Sequence, residues 1–489
     1  MPAVDFDNLT LREAVALFRS SQVSSISLVQ ETLRRAHARP ELNAFASLDE
    51  KGALDAAATA DAALKSGIPP SRLLEGIPVL IKDNIHVRGM PNSAGTPALA
   101  HFTPTEDAPV VARLRAAGAI FIGKSSMHEM ACGATGYNPL YRAGGTVGTR
   151  NAYDVSRISG GSSSGNGAAL GARIVTAAMG SDTGGSVRIP AAFNGVASLR
   201  PTAGRYSQKG VTPICHTRDT VGPMAQTVAD VELLDRVVSG EPEVTAVPSL
   251  KGIRLGITDF FNRNVDAETA DFMLDVVALM KRAGVEIVEV DMPTLGPLND
   301  ACGFALIIGE HYDDVAAYLK DYCPDVTVEQ LTAQLVSPEV REWYTTWTIP
   351  RKMPAEGGEG GGSLIDVGPV YERVMREERP ALQQLYRDVF AQHRLDGLVY
   401  STMPRLAVEA NEAATSLANL TLLIQNMSPS SVAGVPSMSI PVSLGKTSGM
   451  PMSICIDGME NGDRRLLSVG MALEKVFGRM PPPPRVVPG

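Results

Sequence analysis

Apolar residues recur at helical spacing through the first part of the chain. Thr10-Leu-Arg-Glu13 has the capping-box pattern and precedes an apolar stripe, so a helix is predicted to begin there. Ser27-Leu-Val-Gln30 repeats the pattern and predicts a second helix, and the alanine-rich stretch from about Leu48 to Lys65 predicts a third. We therefore expect residues 1–70 to form a helical lead-in.

Short, uninterrupted apolar runs replace this spacing after residue 70. The run Ile77–Ile81, which ends at Lys82, and the run Ala119–Ile122 have the pattern of strands buried on both faces. Pro109–Ala117, between them, predicts a helix. Alternation of strand and helix favours an α/β layer architecture, which we expect to extend over residues 71–240.

The same alternation resumes after a connection that carries proline and glutamate. Residues 250–480 are predicted to form a further α/β part of the same single domain, beginning with a strand at Ile253–Ile257, a helix at Glu268–Arg282, a strand at Val285–Val290, one or two helices over Tyr371–His393 and a strand at Asp396–Tyr400. The glycine-rich stretch Gly357–Ser363 predicts a mobile surface loop. Residues 481–489 are a proline-rich tail that cannot be helical.

Composition indicates the class of protein and argues against several partners. The 489 residues are 44% hydrophobic and 20% charged, with a formal net charge of −9, which is ordinary globular usage and unlike a disordered chain or a coiled coil. The acidic balance argues against nucleic acid or an anionic membrane as the main partner. Five separated cysteines predict free thiols in a reducing compartment, and neither a secretory signal nor an apolar run of membrane-spanning length is evident. A soluble cytoplasmic protein is expected.

Two glycine-framed serine clusters lie in the stretch from Ser159 to Pro190. The first is Gly160-Gly-Ser-Ser-Ser-Gly165 and the second is Thr183-Gly-Gly-Ser186, and an alanine-rich run joins them. Glycine allows the backbone to approach a ligand closely, and serine supplies hydroxyls that act as nucleophile, proton relay or hydrogen-bond donor. Two such clusters, connected by a short apolar segment, predict a functional site.

Other patterns in the chain are weaker. Gly161-Ser-Ser-Ser-Gly165 matches the nucleophile elbow of α/β-hydrolases with Ser163 as the attacking residue, but no later histidine lies in a suggestive strand-end loop. Ser443-Leu-Gly-Lys446 matches S-x-x-K but follows extended chain, which predicts a hairpin turn. His128-Glu129 begins a zinc-protease pattern, yet Cys132 stands where the second histidine is required. No close cluster of acidic residues and histidines completes a ligand set, so no metal site is predicted. The glycine spacing is not that of a phosphate-binding loop, so phosphate binding is a weak candidate.

Lys82 is a candidate for the base that a serine nucleophile needs. A serine hydroxyl becomes reactive when a neighbouring group takes its proton, and a lysine takes it when burial keeps the amine neutral. Lys82 follows a buried apolar run, so we expect its backbone to emerge from the sheet interior. An ion pair between Lys82 and Asp83, or another acid, is the alternative that the spacing leaves open.

These motifs resemble those of the amidase signature family over nearly the whole chain. Gly76–Asn84 resembles its G-x-P-x-x-x-K-D segment, Gly160–Gly165 its G-G-S-S-G-G loop, and Gly180–Pro190 its G-T-D-T-G-G-S-x-R-x-P segment. The two serines at positions 162 and 186 are 186 − 162 = 24 positions apart, as in the family. Asn426–Pro441 resembles the C-terminal P-x-N-x-x-G-x-P-x-x-x-x-P stretch, with Ser431 where asparagine is usual.

The resemblance implies an α/β fold in which helices cover both faces of a large mixed β-sheet, and a Ser-Ser-Lys triad. In that triad Ser186 is the nucleophile, Ser162 is the relay that follows a cis peptide bond, and Lys82 is the base. The oxyanion hole is formed by backbone N–H groups of a short loop that consists of Thr183, Gly184, Gly185 and Ser186. Three side chains support the site, namely Ser163, Asp182 and Arg188. An ion pair that braces the loop is favoured for Asp182 and Arg188 over contact with substrate. No cofactor is required.

Three residues depart from the family pattern near the triad. Ser164 stands where glycine is usual, Asn166 where serine or glutamate is common, and Ser181 where threonine is usual. We expect none of the three to touch the catalytic side chains, so the departures concern loop detail and leave the reaction class unchanged.

The implied function is hydrolysis of a small-molecule amide through an acyl-enzyme. The region at about 300–365, which is variable in the family, contains the aromatic candidates for an acyl pocket, namely Trp343, Trp347, Tyr344, Tyr312, Tyr318 and Tyr322. If they line the pocket they favour a bulky apolar or aryl acyl group; plain core packing is the alternative. Arg200–Gly222, together with Val228–Gly240, is similar to the family's indoleacetamide and mandelamide hydrolases, which also favours aryl amides.

Other functions stay open at this stage. The same triad suits an ester, an anilide or a carbamate, so a urethane-cleaving enzyme is an alternative. A second alternative is the glutaminase subunit of a tRNA-dependent amidotransferase, which belongs to the same family. The non-enzymatic alternative is a binding protein with a vestigial site. The oligomeric state is open as well, with a homodimer as one alternative.

Overall fold

A computed structural model gives the fold over residues 4–66, 72–355 and 363–484. The strands of the described residues are β1 Phe45–Leu48, β2 Pro78–Lys82, β3 Ile120–Ser125, β4 Arg142–Ala143, β5 Thr146–Val147, β6 Ala177–Asp182, β7 Ala197–Arg200, β8 Thr220–Ala225, β9 Arg254–Ile257, β10 Glu286–Glu289, β11 Lys352–Pro354, β12 Leu364–Asp366, β13 Gly397–Ser401, β14 Ser437–Leu444 and β15 Pro451–Asp457. The α-helices are α1 Leu11–Arg19, α2 Ser25–Ala38, α3 Glu50–Lys65, α4 Pro109–Ala116, α5 Ser164–Gly171, α6 Arg188–Phe193, α7 Val228–Ser239, α8 Ala267–Ala283, α9 Leu295–Tyr322, α10 Val328–Ala333, α11 Pro338–Trp343, α12 Val367–Arg376, α13 Glu378–His393, α14 Leu417–Ile424, α15 Ser428–Ala433 and α16 Asp463–Phe477.

One mixed sheet of 11 strands organises these elements, in the order β1-β3-β2-β6-β8-β7-β14-β15-β13-β9-β10. Strand β2 is parallel to both β3 and β6, while β14 and β15 form an antiparallel pair. The sheet takes strands from both predicted parts of the chain, because β7 of the first part pairs with β14 of the second. The large mixed α/β sheet is thus confirmed; the boundaries of the parts stay a prediction.

Helices cover both faces of the sheet, as expected. Successive side chains of a strand point to opposite faces, and in β2 Val79 and Ile81 belong to one hydrophobic core while Leu80 belongs to another. The first core includes residues of α1, α4, α7 and α16, and the second includes residues of α2, α3 and α5. Burial on both faces explains why the β2 sequence is an uninterrupted apolar run.

Two of the predicted helix starts are corrected by the structure. Helix α2 begins at Ser25, because the Ser24 side chain accepts a hydrogen bond from the Ser27 N–H and caps the helix three residues earlier than predicted. Helix α3 begins at Glu50 with Asp49 as its cap, and the residues before it form β1 instead. Between Tyr371 and His393 the chain forms two helices, α12 and α13.

The remaining expectations concern loops and ends. Ser443 lies near the end of β14, and the chain returns through β15, so the S-x-x-K pattern belongs to a hairpin. The predicted mobile loop at 357–363 falls outside the described residues except for Ser363, and the tail is described only to Pro484, with residues 481–484 in neither helix nor strand. Among the described residues, no helix has both the length and the apolar character needed to cross a membrane.

The sheet also determines where the serine clusters meet Lys82. Strands β2 and β6 are adjacent and parallel, with Ile81 opposite Met179. The carboxyl ends of parallel strands lie at the same edge of a sheet, so Lys82 at the end of β2 and Asp182 at the end of β6 come close together. The second serine cluster begins directly after β6.

Candidate active site

Lys82 is fully buried at the end of β2. Its Nζ atom lies 2.7 Å from Oγ of Ser162 and 2.8 Å from Oγ of Ser181. Burial lowers the pKa of Lys82 to about 7, against the raising influence of the Asp182 and Asp219 charges. A large fraction of this lysine is therefore neutral near pH 7, as a base requires.

Lys82 does not form the alternative ion pair with Asp83, because Asp83 pairs with Lys124 instead. The carboxylate of Asp83 lies 3.6 Å from Nζ of Lys124 and accepts hydrogen bonds from the Ser93 hydroxyl and the Gly95 N–H. Asp83 thus belongs to a separate buried pair.

Ser181 corrects one expectation about the departures from the family pattern. Its hydroxyl oxygen accepts hydrogen bonds from Lys82 and from Nδ2 of Asn84, at 2.8 Å and 3.0 Å. The prediction that residue 181 would not touch a catalytic side chain was wrong, because β6 lies beside β2 in the sheet. The hydroxyl of Ser164, by contrast, reaches only the backbone carbonyl of Ser162, at 3.4 Å.

The two serine clusters contact each other through the backbone. The peptide bond Gly161–Ser162 is cis, as the resemblance implied, and the Ser163 N–H donates to the carbonyl of Ser186 at 3.0 Å. The Ser163 hydroxyl donates to the carbonyl of Ser181 at 3.1 Å and accepts the N–H of Ser181 at 3.3 Å. Ser163 therefore ties the first cluster to β6, which does not favour it as the attacking residue of a nucleophile elbow.

Asp182 holds the loop that carries Ser186. Its carboxylate accepts the N–H of Gly185 at 2.9 Å and that of Val187 at 3.2 Å, and it pairs with Arg188 at 3.0 Å. Arg200 approaches the same carboxylate at 2.9 Å. Burial alone would raise the pKa of Asp182, but the two guanidinium charges and the N–H donors outweigh it and hold the pKa well below the usual range.

Arg188 continues this network towards the C-terminal segment. Its guanidinium donates to the hydroxyls of Ser430, Ser431 and Ser437 at 2.8 Å, 2.8 Å and 3.0 Å. Ser431, which stands where asparagine is usual, thus still supplies an acceptor to Arg188. Arg188 follows the loop Thr183–Ser186, which is named the nucleophile loop after the predicted role of Ser186. All donors of Arg188 face protein groups, which supports a bracing role for the pair with Asp182.

The backbone donors expected in the oxyanion hole need one correction. The Gly185 N–H is engaged by Asp182, since the loop turns back on that carboxylate. For Thr183, Gly184 and Ser186, no described residue accepts a hydrogen bond from the N–H. These three unpartnered N–H groups are the ones available to a ligand, and all three residues border the same cavity.

That cavity has a volume of about 420 Å³. Ser186 and Gly184 lie in one wall, and the facing walls are mainly apolar and come from distant segments, with Ile214, Phe304, Ile307, Trp343, Leu420 and Ile424. A cavity of this size, apolar with a few polar groups, suits a drug-sized organic molecule.

Only part of the aromatic set predicted from the sequence lines this cavity. Trp343 does, packed against Trp347 with ring centroids 4.6 Å apart. Tyr318 and Tyr322 instead pack on His86, and Tyr344 packs on His311. Core packing therefore accounts for these three tyrosines. Trp343 lines the cavity, and its role in an acyl pocket stays a prediction.

Sequence reasoning missed Phe304 and Arg218 as cavity residues. Phe304 stacks on Trp343 with centroids 5.7 Å apart, and Arg218 lies between the nucleophile loop and α9. No local pattern identified them, because α9 and the segment before β8 reach the cavity only through the tertiary fold.

A second cavity of about 290 Å³ adjoins the first. The two share the wall formed by Cys132, Gly133 and Ala134, together with Trp343 and Leu420. The His128-Glu129 pair considered for metal binding is otherwise engaged: His128 lines this second cavity beside Glu339 at 3.1 Å, and Glu129 accepts backbone N–H groups of residues 336 and 337.

One group of side chains among the described residues is close enough to suit a metal ion. Ligand atoms of His216, Glu310 and Asp314 lie within 4.8 Å of one another. The ring of His216 bonds Asp314 at 3.0 Å, and Glu310 accepts hydrogen bonds from Cys215 and from the Thr217 N–H. These contacts explain the group as a hydrogen-bonded cluster.

The chain is similar to known proteins of one family, the amidases. Residues 27–467 match the sequence model of the family described as Amidase. The chain is 41% identical to the mandelamide hydrolase of Pseudomonas putida over 98% of its own length and 93% of that protein. It is 34% identical to the indoleacetamide hydrolase of Rhizobium radiobacter over 96% and 97% of the two chains.

A solved structure gives the same picture for the fold. The peptide amidase of Stenotrophomonas maltophilia superimposes with a TM-score of 0.81 at 28% sequence identity, over 98% of this chain and 99% of that one.

Proposed function

We propose that this chain, which belongs to the amidase family and is an amide-cleaving hydrolase, works through an acyl-enzyme formed on Ser186. The observation that carries the proposal is the contact between buried Lys82 and the Ser162 hydroxyl, which are 2.7 Å apart. The next residue, Ser163, donates its N–H to the carbonyl of Ser186, which borders the cavity. Apart from the substrate, the reaction needs only water from outside this chain.

The first half of the reaction transfers the acyl group to the protein. Ser186 Oγ attacks the amide carbon, its proton passes to Ser162, and the Ser162 proton passes to neutral Lys82. The carbonyl electron pair moves onto oxygen, where free N–H groups of the nucleophile loop stabilise the charge. The C–N bond then breaks as the proton returns along the same path to nitrogen, and ammonia or an amine leaves.

The second half of the reaction releases the acid. Water attacks the ester of Ser186 and gives a proton to the same relay, and the collapse of the second tetrahedral intermediate restores the Ser186 hydroxyl. The lowered pKa of Lys82, about 7, supports this role because the amine accepts and releases the proton near neutral pH.

An aryl or bulky apolar acyl group is the substrate class that we propose. The volume and apolar walls of the cavity support it, with Trp343 and Phe304 stacked in one wall. Relatives named for mandelamide and indoleacetamide, whose acyl groups are aromatic, support it too.

Substituted amides, esters and carbamates form a second candidate class. The second cavity meets the first along Cys132–Ala134, which leaves space beyond the scissile bond for a leaving group larger than ammonia. A primary amide would not use that space, so activity on anilides or aryl carbamates distinguishes the two classes.

The test is a substrate panel on the purified chain, with phenylacetamide, indoleacetamide, an anilide, an ester, a carbamate and glutamine. We expect release of ammonia or amine from aryl substrates, complete loss in Ser186→Ala, and retention in the matched control Ser443→Ala. Full activity of Ser186→Ala would overturn the acyl-enzyme proposal. Turnover of glutamine alone would favour the amidotransferase-type glutaminase. Binding of these substrates without turnover would favour a binding protein with a vestigial site.

A further inference from the structure

Arg218 is a buried cation in the wall of the substrate cavity. Its side chain is 1% exposed, and it bridges the nucleophile loop and helix α9. Nε donates to the carbonyl of Thr183 at 3.1 Å and Nη1 donates to the carbonyl of Gly303 at 2.9 Å. Nη2 is buried without a hydrogen-bond partner among the described residues.

No carboxylate among the described residues forms an ion pair with this guanidinium. The neighbouring Asp219 is engaged elsewhere, since it accepts the Thr183 hydroxyl at 2.5 Å and the N–H groups of Ile214 and Cys215 at 2.8 Å and 3.0 Å. An unpaired buried charge is costly, because desolvation is not offset by a counter-charge. A buried donor left free at a cavity wall calls for a functional reason.

The hydrogen bond to Thr183 fixes the direction of a backbone donor. The peptide bond between Thr183 and Gly184 is trans, so its C=O and N–H point in opposite directions. With the carbonyl held by Arg218, the Gly184 N–H faces away from the guanidinium. The next N–H along, that of Gly185, is held by Asp182 at 2.9 Å. Two buried charged groups thus orient consecutive peptide planes and leave the Gly184 N–H free.

The free end of the guanidinium lies beside the same residue. A Cβ atom placed on Gly184 would lie 3.3 Å from Nη2 of Arg218 and would meet no other atom closely. The guanidinium therefore lies on one side of the Thr183–Gly184 peptide, and the free N–H of Gly184 points to the other side, next to Ser186.

We propose that Arg218 is a positioning residue of the oxyanion hole. It orients the Thr183–Gly184 peptide so that the Gly184 N–H donates to the alkoxide formed on attack by Ser186, and its unpaired charge stabilises that alkoxide from behind. This role rests on the proposed acyl-enzyme chemistry. It acts on the transition state and not on the bound amide, so it governs kcat more than KM.

The test compares Arg218→Met with Arg218→Lys on phenylacetamide and mandelamide, which differ by one α-hydroxyl. We expect Arg218→Met to lower kcat by about 10²–10³-fold on both amides, the loss typical of one oxyanion donor, with KM changed by less than about threefold. Arg218→Lys should recover part of kcat because it retains the charge. Arg379→Met is the matched control, since Arg379 also donates to backbone carbonyls but lies outside the cavity.

Inhibitor binding separates positioning from a merely structural role. Phenylacetaldehyde forms a tetrahedral adduct with a serine, whereas phenylacetate does not. We expect Arg218→Met to weaken the aldehyde by the same factor as kcat/KM and to leave phenylacetate unchanged. Equal weakening of both inhibitors, unchanged kcat, or a loss confined to mandelamide would overturn the proposal, the last because it would assign Arg218 to the acyl group. A wild-type chain inactive on both amides would overturn the proposed function itself.

Discussion

The Nζ atom of Lys82 lies 2.8 Å from the hydroxyl oxygen of Ser181, on the neighbouring strand. A neutral lysine has two N–H donors and one lone pair. An N–H directed at Ser181 turns the lone pair towards Ser162, which lies 2.7 Å away. Asn84 donates to the same oxygen at 3.0 Å and keeps the Ser181 hydroxyl from turning away. Ser181 therefore orients Lys82, the base that we propose.

Removing this hydroxyl should weaken the base without removing it. We expect Ser181→Ala to lower kcat about tenfold, a part of the usual contribution of general-base catalysis. Because Ser181 accepts a hydrogen bond that favours protonated Lys82, its loss should also move the acid limb of the pH profile to lower pH. Ser181→Thr keeps the hydroxyl and is the matched control, with near wild-type kcat. Wild-type rate and pH profile in Ser181→Ala would contradict the role.

The protonation of Lys82 should set the pH dependence of the reaction. Only the neutral amine accepts the Ser162 proton, so kcat/KM should rise tenfold per pH unit below the pKa of Lys82, about 7, and level off above it. Initial rates on an aryl amide between pH 5 and 9 measure this limb. A profile that is flat from pH 5.5 to 8 would assign the base elsewhere.

The same burial should make Lys82 a cost to stability. Its folded pKa, about 7, lies below the ordinary 10.5, so between these values the unfolded chain binds more protons and folding stability rises with pH. Lys82→Met removes the buried charge, and we expect it to raise the unfolding temperature at pH 6–7. That gain should shrink as the pH approaches 10.

Scanning calorimetry at pH 6, 8 and 10 checks this expectation for Lys82→Met. The control is Lys51→Met, which removes a lysine that is 90% exposed and paired only with Asp55, and which should leave the unfolding temperature unchanged at all three pH values. A lower unfolding temperature for Lys82→Met at pH 6 would show that the amine stabilises the fold.

The residues of the proposed triad could be named from the sequence because each lies in a contiguous motif. Lys82, Ser162 and Ser186 are marked by short segments whose glycines and spacing are local properties, and the structure brings them to one sheet edge. Ser181 was misjudged since its contact with Lys82 depends on β6 pairing with β2, and strand order is not encoded in any single segment. The same holds for Arg218, which reaches the nucleophile loop only across the fold.

The cavity walls show the same limit more strongly. Phe304, Trp343 and Leu420 come from α9, α11 and α14. Apolar periodicity predicts that each helix buries a face, but not which faces stop short of full packing and leave a cavity. Trp343 could be nominated only as one of six aromatic candidates in the region that varies within the family.

Asp182 should be the most sensitive residue for stability in the nucleophile loop. Asp182→Asn would leave Arg188 and Arg200 buried without their shared carboxylate, and we expect a loss of about 3–5 kcal/mol in the free energy of unfolding. In the wild type this contribution is complete above the ordinary carboxyl pKa of 3.8 and is lost as the pH falls towards the lowered folded pKa. Urea unfolding at pH 7 measures the loss. Asp55→Asn, at an exposed pair, should show none, and equal midpoints for the two variants would contradict the bracing role.

Trp343 should determine the preference for aryl acyl groups. Its ring lines the cavity and stacks on Phe304, so Trp343→Ala removes apolar contact from a bulky acyl group and little from a small one. We expect kcat/KM for indoleacetamide to fall tenfold or more, with propionamide changed by less than about twofold. Tyr312→Ala is the control, because Tyr312 was another aromatic candidate but stacks on Arg351 outside the cavity. An equal loss on both amides, with an unchanged unfolding temperature, would mean that Trp343 acts on the reaction centre and not on acyl selection.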